Sequence, residues 1–312
     1  QWVRGRSETE NMKIFLTGSS SQLLSREIGT KLTGRNISFE LFPLSFSEFL
    51  TFKKISKVSE VFYLKKKSLL RNLFLEYIKF GGFPEIVLKN TDEEKSLLLK
   101  QYFEDILLRD TVARFEIRDY INLRNFAVYL MTNIGNRTSI SKLKQNFQIS
   151  QDKSEHYLSA ILECYLFSQV LPFSHSLKKS LREGFKIYSI DAGLINRVTF
   201  SFSEDIGRLV ENVIYNELKR RHEEILYYNS DNEIDFLVKE GISISQKIQV
   251  WYDENPRSKL PERETKAFFE NINKKKQPVN IIITNDYEDT ISYNDIKIQC
   301  IPVIKFLLNL RR

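Results

Sequence analysis

The segment "NEIDFLVKEGISISQKIQVWYD", residues 232–253, sets the architecture of the C-terminal part of the chain. Its two runs of apolar and β-branched residues are separated by a Lys-Glu-Gly turn, which predicts two short antiparallel strands. The first strand carries two carboxylates, Glu233 and Asp235. Side chains alternate along a strand, so three residues of the second strand share one face: Lys247, Gln249 and Trp251.

The residues on either side of this hairpin predict an α/β unit over residues 204–312. A helix is predicted in "EDIGRLVENVIYNELKRR", and a strand precedes the hairpin in "EILYYN". After the hairpin, "PERETKAFFENINKK" predicts a helix, "VNIIITN" a buried strand, and "IKIQCIPVIKFLL" a last strand and helix. The order αβββαβ is that of the restriction-endonuclease-like core.

The pattern of residues 121–203 predicts a winged helix-turn-helix. Three helical segments are followed by two extended segments, which flank the basic loop "HSLKKSLREG". In such a fold the third helix would present Lys153 and His156 to DNA, and the loop would present three cations to phosphates: Lys178, Lys179 and Arg182. The winged helix also serves as a packing unit between domains, and the acidic residues of the third helix oppose contact with phosphate.

The composition predicts a soluble, cytoplasmic protein. Apolar residues make up 42% of the 312 residues and charged residues 28%, which is ordinary for a folded domain. No apolar run reaches the ~18 residues that span a bilayer, so no membrane partner is expected. Cys164 and Cys300 predict buried thiols. The net charge of +7 permits double-stranded DNA as a partner, although a lysine-rich solvated surface explains it equally well.

Residues 1–60 predict the remnant of a larger α/β core. The run "MKIFLTGSSS" predicts a buried strand, and "QLLSREIGTKL" predicts a helix behind it. One strand and one helix cannot cover both faces of a parallel sheet, so exposed apolar surface and self-association, or a protein partner, are expected. Residues 61–120 predict a helical, lid-like region, in which one long helix would bury a stripe of four residues: Leu98, Tyr102, Ile106 and Val112.

Several blocks in series resemble one protein family. The blocks are "KIFLTGSSSQLLSREIGTKLTGR", "LFPLSFSEFL", "YIKFGGFPEIV", "YFEDILLRDTVARF" and "YSIDAGLIN". They are similar, in the same order, to segments of archaeal and bacterial AAA-type ATPases that carry a C-terminal domain of unknown function. The resemblance implies ATP and Mg²⁺ as cofactors of full-length members. It matches Thr17 and Ser19 to a strand end that senses the γ-phosphate, and Arg35 to an arginine that faces the nucleotide.

The 312 residues lack the two ATP-binding motifs of that family. No G-x-x-x-x-G-K-[ST] motif occurs, and no apolar strand ending in Asp-Glu precedes Met12. The expectation is a truncated or degenerate member, or a fragment of an otherwise ATP-binding protein, that binds no cofactor and does not hydrolyse ATP by itself. Thr17 and the serines beside it then form a turn and a helix cap.

The C-terminal unit resembles the PD-(D/E)XK nuclease superfamily, whose members bind Mg²⁺ through carboxylates. The resemblance matches Asp235 to the metal-binding aspartate and Glu211 to a glutamate of the first helix. The second strand should read Glu-x-Lys but has Gln249 and Trp251, so one carboxylate and the ammonium are absent. The sequence therefore favours an inactive fold with a DNA-binding or partner-coupling role. The alternative is a metal-dependent nuclease that uses an unusual lysine.

Overall fold

The chain is a mixed α/β protein with a many-stranded sheet, as its sequence predicts. The computed structural model describes residues 39–174, 183–199, 206–230, 232–253, 260–269, 277–293 and 296–310, with positions 15, 17, 18 and 37. The predicted strand and helix of residues 12–32, apart from those isolated positions, and the basic loop of residues 175–182 lie outside the described residues.

Residues 46–163 are helical, and hydroxyl side chains cap several of the helices. Ser45 and Thr91 each form a capping box with a glutamate three residues later. Ser139 caps its helix by accepting the N–H of Lys142. The helices are α1 (Phe46–Phe52), α2 (Glu60–Lys65), α3 (Lys67–Phe80), α4 (Pro84–Leu88), α5 (Asp92–Asp105), α6 (Ala113–Phe115), α7 (Tyr120–Thr132), α8 (Ile140–Phe147) and α9 (Gln151–Glu163).

The long helix predicted over residues 93–115 is present, but its buried face differs from the prediction. A π-helical segment, Ile106–Val112, joins α5 to α6. The buried residues of α5 are Lys95, Leu99 and Phe103. The residues that were predicted to be buried lie next to these in the sequence and are only half-buried. The ammonium of Lys95 lies 2.6 Å from a carboxylate oxygen of Glu76. The hydrophobic pattern did not identify this buried face, because one of its residues is a lysine that is paired with a glutamate.

The eight described strands form one mixed sheet in the order β2-β1-β3-β4-β5-β6-β8-β7. Strands β4 and β5 confirm the predicted hairpin, with Gly241 in the turn at a φ of +60°. Strand β7 was not predicted, because its residues are largely exposed on both faces. The strands are β1 (Phe167–Pro172), β2 (Lys186–Ser189), β3 (Glu224–Asn229), β4 (Glu233–Glu240), β5 (Ser243–Trp251), β6 (Val279–Thr284), β7 (Asp289–Tyr293) and β8 (Ile296–Pro302).

The remaining helices cover this sheet and connect it to the helical part. They are α10 (Ala192–Val198), α11 (Ile206–Arg221), α12 (Arg263–Lys266) and α13 (Val303–Leu307). The predicted helix after β5 is short within the described residues, since α12 gives way to a 3₁₀ turn at Ala267–Phe269. One hydrophobic cluster extends from Phe46 to Leu307 and includes residues of the helical part and of the sheet. Both cysteines are buried free thiols, as predicted.

The Gly81-Gly82 turn after α3 packs onto the buried carboxylate of Asp191. Asp191 accepts hydrogen bonds from the N–H groups of Gly82, at 2.7 Å, and Gly193, at 2.8 Å. Burial raises the pKa of Asp191 to about 6, although these N–H groups favour the ionised form. A Cβ atom on Gly81, whose φ is +77°, would lie 1.7 Å from Asp191 Oδ1. This contact therefore requires glycine and ties the helical part to α10.

Replacing Gly81 by alanine should destabilise the fold far more than replacing Gly241. Both glycines have positive φ, so alanine at either position costs ~1–2 kcal/mol of backbone strain. Only at Gly81 does the new methyl group meet packed atoms, because nothing lies within 4 Å of a Cβ at Gly241. Urea unfolding should show that Gly81→Ala loses at least ~2 kcal/mol more than Gly241→Ala. Equal losses would contradict the packing of Gly81 on Asp191.

Candidate functional site

The ammonium of Lys186 lies among three carboxylates at the start of β4. Lys186 Nζ is 2.7 Å from an oxygen of Glu233, 3.3 Å from Asp235 Oδ1 and 3.6 Å from an oxygen of Glu211. Lys186 is 3% exposed and Asp235 is 7% exposed, so this ion pair is inside the protein, whereas the side chain of Glu233 is half exposed. We call these four residues the Lys186 cluster.

Three elements bring the Lys186 cluster together. Strand β2 supplies Lys186, helix α11 supplies Glu211, and strand β4 supplies both remaining carboxylates. Tyr188, two residues after Lys186 on β2, donates a hydrogen bond of 2.6 Å to Glu211 and stacks on the ring of Tyr215. Asp235 Oδ2 accepts the backbone N–H of Val250 at 2.9 Å. The cluster therefore holds β2, α11 and the β4–β5 hairpin against one another.

The charges of the Lys186 cluster do not balance, because one ammonium faces three carboxyl groups. Burial raises the pKa of Asp235, and the neighbouring charge of Glu211 raises it further, while the ammonium of Lys186 partly offsets both. Burial by itself would lower the pKa of Lys186, but the surrounding carboxylates raise it well above its usual range. Lys186 is therefore protonated at neutral pH, and the Asp235 carboxyl group ionises less readily than a carboxyl group in water.

Gln249 connects β4 to α12 at the position where the nuclease pattern has a carboxylate. Its Oε1 atom accepts the backbone N–H of Asp235 at 3.1 Å, and its Nε2 atom donates to Glu264 at 3.0 Å. The ammonium of Lys247, two residues earlier on β5, donates to the carbonyl oxygen of Phe268 at 3.1 Å. The structure thus brings Glu211 and Asp235 together around Lys186 and places Gln249 beside Asp235.

Sequence reasoning missed Lys186, which is the cation of this site. The only signal was a lysine in the otherwise apolar run "FKIYSI", where alternation puts it on the same face as Tyr188. A buried lysine in a strand needs carboxylate partners, but the sequence does not show which carboxylates are near it. Glu211 and Asp235 are 25 and 49 residues away along the chain.

Within the described ranges, no group of three or more Asp, Glu, His or Cys side chains is arranged to hold a metal ion. Asp235, the predicted metal ligand, has both carboxylate oxygens engaged by protein groups, Lys186 and the N–H of Val250. In this arrangement the ammonium of Lys186 can neutralise the negative charge of the neighbouring carboxylates. The ammonium of Lys186 occupies the point on which oxygens of Glu211, Glu233 and Asp235 converge, where Mg²⁺ would need its ligands at about 2.1 Å.

The residues predicted to contact DNA or nucleotide are not gathered at this site. On α9, Lys153 is 3.0 Å from Asp119, and a ring nitrogen of His156 is 3.3 Å from the carbonyl oxygen of Phe115. Thr17 is exposed. The other predicted contact residues lie outside the described residues: Ser19, Arg35, Lys178, Lys179 and Arg182.

Comparisons with known proteins support a relation to the AAA family. Residues 1–50 match a family model described as an AAA domain, and residues 71–205 match one described as a domain of unknown function, DUF8612. The chain is 38% identical over 301 residues to the uncharacterized protein MJ1544 of Methanocaldococcus jannaschii. It is 28% identical over 304 residues to an uncharacterized protein of Haemophilus influenzae. No solved structure matches the chain significantly.

Both relatives are longer than this chain. The alignments cover 93% of the chain but 65% of the Methanocaldococcus protein, and 96% of the chain but 71% of the Haemophilus protein. Among the described helices, none combines the length and apolar character that a membrane span requires.

Replacing Lys186 by methionine should lower the free energy of unfolding by ~3–5 kcal/mol at neutral pH, because the buried carboxyl group of Asp235 and the largely buried one of Glu211 would lose their cation. The matched control is Lys239→Met, which removes an ion pair with Glu224 that is half exposed. The control should cost less than ~1 kcal/mol. Urea unfolding of the three proteins measures both differences, and similar values would show that the Lys186 cluster contributes no more than a surface pair.

The loss caused by Lys186→Met should also depend on pH. A carboxyl group whose folded pKa is raised, as for Asp235, stabilises the folded state below its unfolded pKa. That contribution disappears as the pH rises through the folded pKa, and removing the ammonium moves the folded pKa further up. The difference from wild type should therefore shrink between about pH 8 and about pH 5. A difference that grows on acidification would contradict this assignment.

Proposed function

We propose that this chain is the binding and coupling part of an AAA-related protein, and that its C-terminal nuclease-like unit does not cleave DNA. The observation that carries the proposal is the position of the Lys186 ammonium among Glu211, Glu233 and Asp235. A PD-(D/E)XK nuclease holds a divalent cation beside the corresponding carboxylates. The unit would then serve as a rigid scaffold that joins the AAA-related residues to a ligand-binding region.

An ammonium cannot replace Mg²⁺ in phosphodiester hydrolysis. A divalent cation polarises the scissile phosphate and lowers the pKa of bound water, and an ammonium with one positive charge does neither to a comparable degree. The loop before α8 also lies over the cluster, because Gly135 donates its N–H to the carbonyl oxygen of Ile187 at 3.1 Å. A Cβ atom at Gly135 would be 3.0 Å from an oxygen of Glu211. This cover leaves little room for a phosphodiester at the carboxylates.

Double-stranded DNA is the ligand that we propose for residues 120–189. Helices α7, α8 and α9 precede the β1–β2 pair, the order of a winged helix, and the basic loop connects β1 to β2. The polar face of α9 is engaged with the chain itself through Lys153 and His156. The cations offered to phosphate are therefore those of the loop, together with the exposed Lys142 and Lys144 of α8.

We also propose that these 312 residues do not hydrolyse ATP by themselves, since they contain no phosphate-binding loop. ATP and Mg²⁺ would act in longer AAA-related proteins, where the state of the nucleotide would be communicated to the region described here. Coupling to a protein partner or to a second copy would use the same scaffold.

Duplex DNA should bind with an affinity that falls steeply with salt. The variant in which Lys178, Lys179 and Arg182 are all alanine should bind more weakly, and its log–log salt slope should be smaller by about 0.9 per lost phosphate contact. Lys79→Ala is the control, because Lys79 pairs with Asp92 on a different surface. Fluorescence anisotropy over a salt series measures both quantities. Absence of binding at low salt, or equal slopes for the two variants, would remove the DNA proposal.

A metal-dependent nuclease remains the second candidate, because Lys186 Nζ lies 3.3 Å from Asp235 Oδ1 and could stand for the lysine missing from β5. Plasmid DNA incubated with the chain and Mg²⁺ or Mn²⁺ separates the two candidates. We expect the plasmid to stay intact. Cleavage that is abolished by both Asp235→Ala and Lys186→Met, with Lys239→Met as the active control, would establish the nuclease instead.

A further inference from the structure

Residues near the end of the range that matches the AAA domain form hydrogen bonds with α3, the turn after it and α11. The backbone N–H of Leu44 donates to the carbonyl oxygen of Gly82 at 2.7 Å, and Tyr77 Oη donates to the carbonyl oxygen of Leu44 at 2.8 Å. Arg220, at the end of α11, donates to the carbonyl oxygen of Pro43. We call residues 42–44 the joint, because they lie within the AAA-matching range and directly before the helical part.

Helix α11 extends from the joint to the Lys186 cluster. Arg220 contacts the joint, and Glu211, nine residues earlier, belongs to the cluster. At 1.5 Å per residue the helix separates these two side chains by about 14 Å along its axis. A regular helix is stiff over this length, so displacement of one end moves the other.

Two asparagines fix α11 to the strand that carries Lys186. Asn212 Oδ1 accepts the backbone N–H of Ser189 at 2.8 Å, and the amide nitrogens of Asn212 and Asn216 both donate to the carbonyl oxygen of Ser189 at 3.0 Å. Asn212, Asn216 and Arg220 recur every four residues and so lie on one side of the helix. All three asparagine bonds are buried, which makes them costly to lose.

A second route leads from the joint to the same strand. Gly82, which accepts the N–H of Leu44, donates its own N–H to Asp191 Oδ2 at 2.7 Å. The hydroxyl of Ser189 then donates to the carbonyl oxygen of Asp191 at 3.1 Å. Both routes therefore end at β2, directly beside Tyr188 and Lys186.

We infer that α11 and the Gly82–Asp191 contact couple the joint to the Lys186 cluster, so that displacement of the joint is transmitted to β2 and Glu211. The inference rests on the proposed coupling role. Packed interiors shift between discrete arrangements rather than deform gradually, and a buried ion cluster is sensitive to small displacements of its charges. Displacement of the joint is therefore expected to change the distances between the charged groups of the Lys186 cluster.

Hydrogen exchange of the whole 312-residue chain tests this coupling with a mild variant. Tyr77→Phe removes one hydrogen bond at the joint and keeps the ring. Exchange of the backbone N–H groups of residues 185–191 should become about fivefold faster, the equivalent of one lost hydrogen bond. Tyr102→Phe is the matched control, since it removes the hydrogen bond to Glu85 on the surface of the helical part. The control should leave residues 185–191 unchanged.

The reverse perturbation must act as well, because coupling free energies are reciprocal. Tyr188→Phe removes the bond to Glu211 at the cluster, and it should speed exchange of the Leu44 N–H by a similar factor. Effects that stay within residues 42–52 and 74–84 for Tyr77→Phe, or a uniform change over all peptides, would overturn the inference. Exchange is measured without DNA or metal, so a failure of DNA binding and a failure of coupling are separate results.

Discussion

The ion pairs of Lys186 join strand β2 to helix α11 and to strand β4. Strand β1 meets β3 through only two residue pairs, Leu171 with Leu226 and Pro172 with Tyr227. The Lys186 cluster adds charged bonds from β2 to α11 and β4, and the bonds to Glu211 and Asp235 lie in the interior, where an unpaired charge costs several kcal/mol. Desolvation offsets much of their attraction, so the cluster chiefly determines which arrangement of β2, α11 and β4 is adopted.

The same cation gives the carboxylate cluster its chemical character. Acidic side chains that meet at the end of a β-hairpin are suited to a divalent metal when their oxygens converge and remain open to substrate. Here the ammonium of Lys186 lies among them, and Gln249 donates a hydrogen bond to Glu264 of α12. The loop that contains Gly135 packs against Glu211. In the proposed function, the C-terminal unit supports an AAA-related protein, and binding and transmission of movement are its proposed tasks.

The sequence predicted the parts of this arrangement that follow local patterns. Alternation and the Lys-Glu-Gly turn predicted the β4–β5 hairpin, and helical spacing predicted α5, α9 and α11. Lys186 and Lys95 could not be identified, because a buried lysine depends on carboxylates that are distant along the chain. Strand β7 was missed because it buries little of either face, and the π-helical segment because it leaves the α-helical period.

Calorimetric titration of the chain with Mn²⁺ addresses directly whether an ammonium or a metal neutralises the carboxylates. If Lys186 is the resident cation, wild type should bind no stoichiometric Mn²⁺ at this site, and Asp235→Asn should give the same titration as wild type. One Mn²⁺ bound per chain in wild type, and lost in Asp235→Asn, would contradict the account.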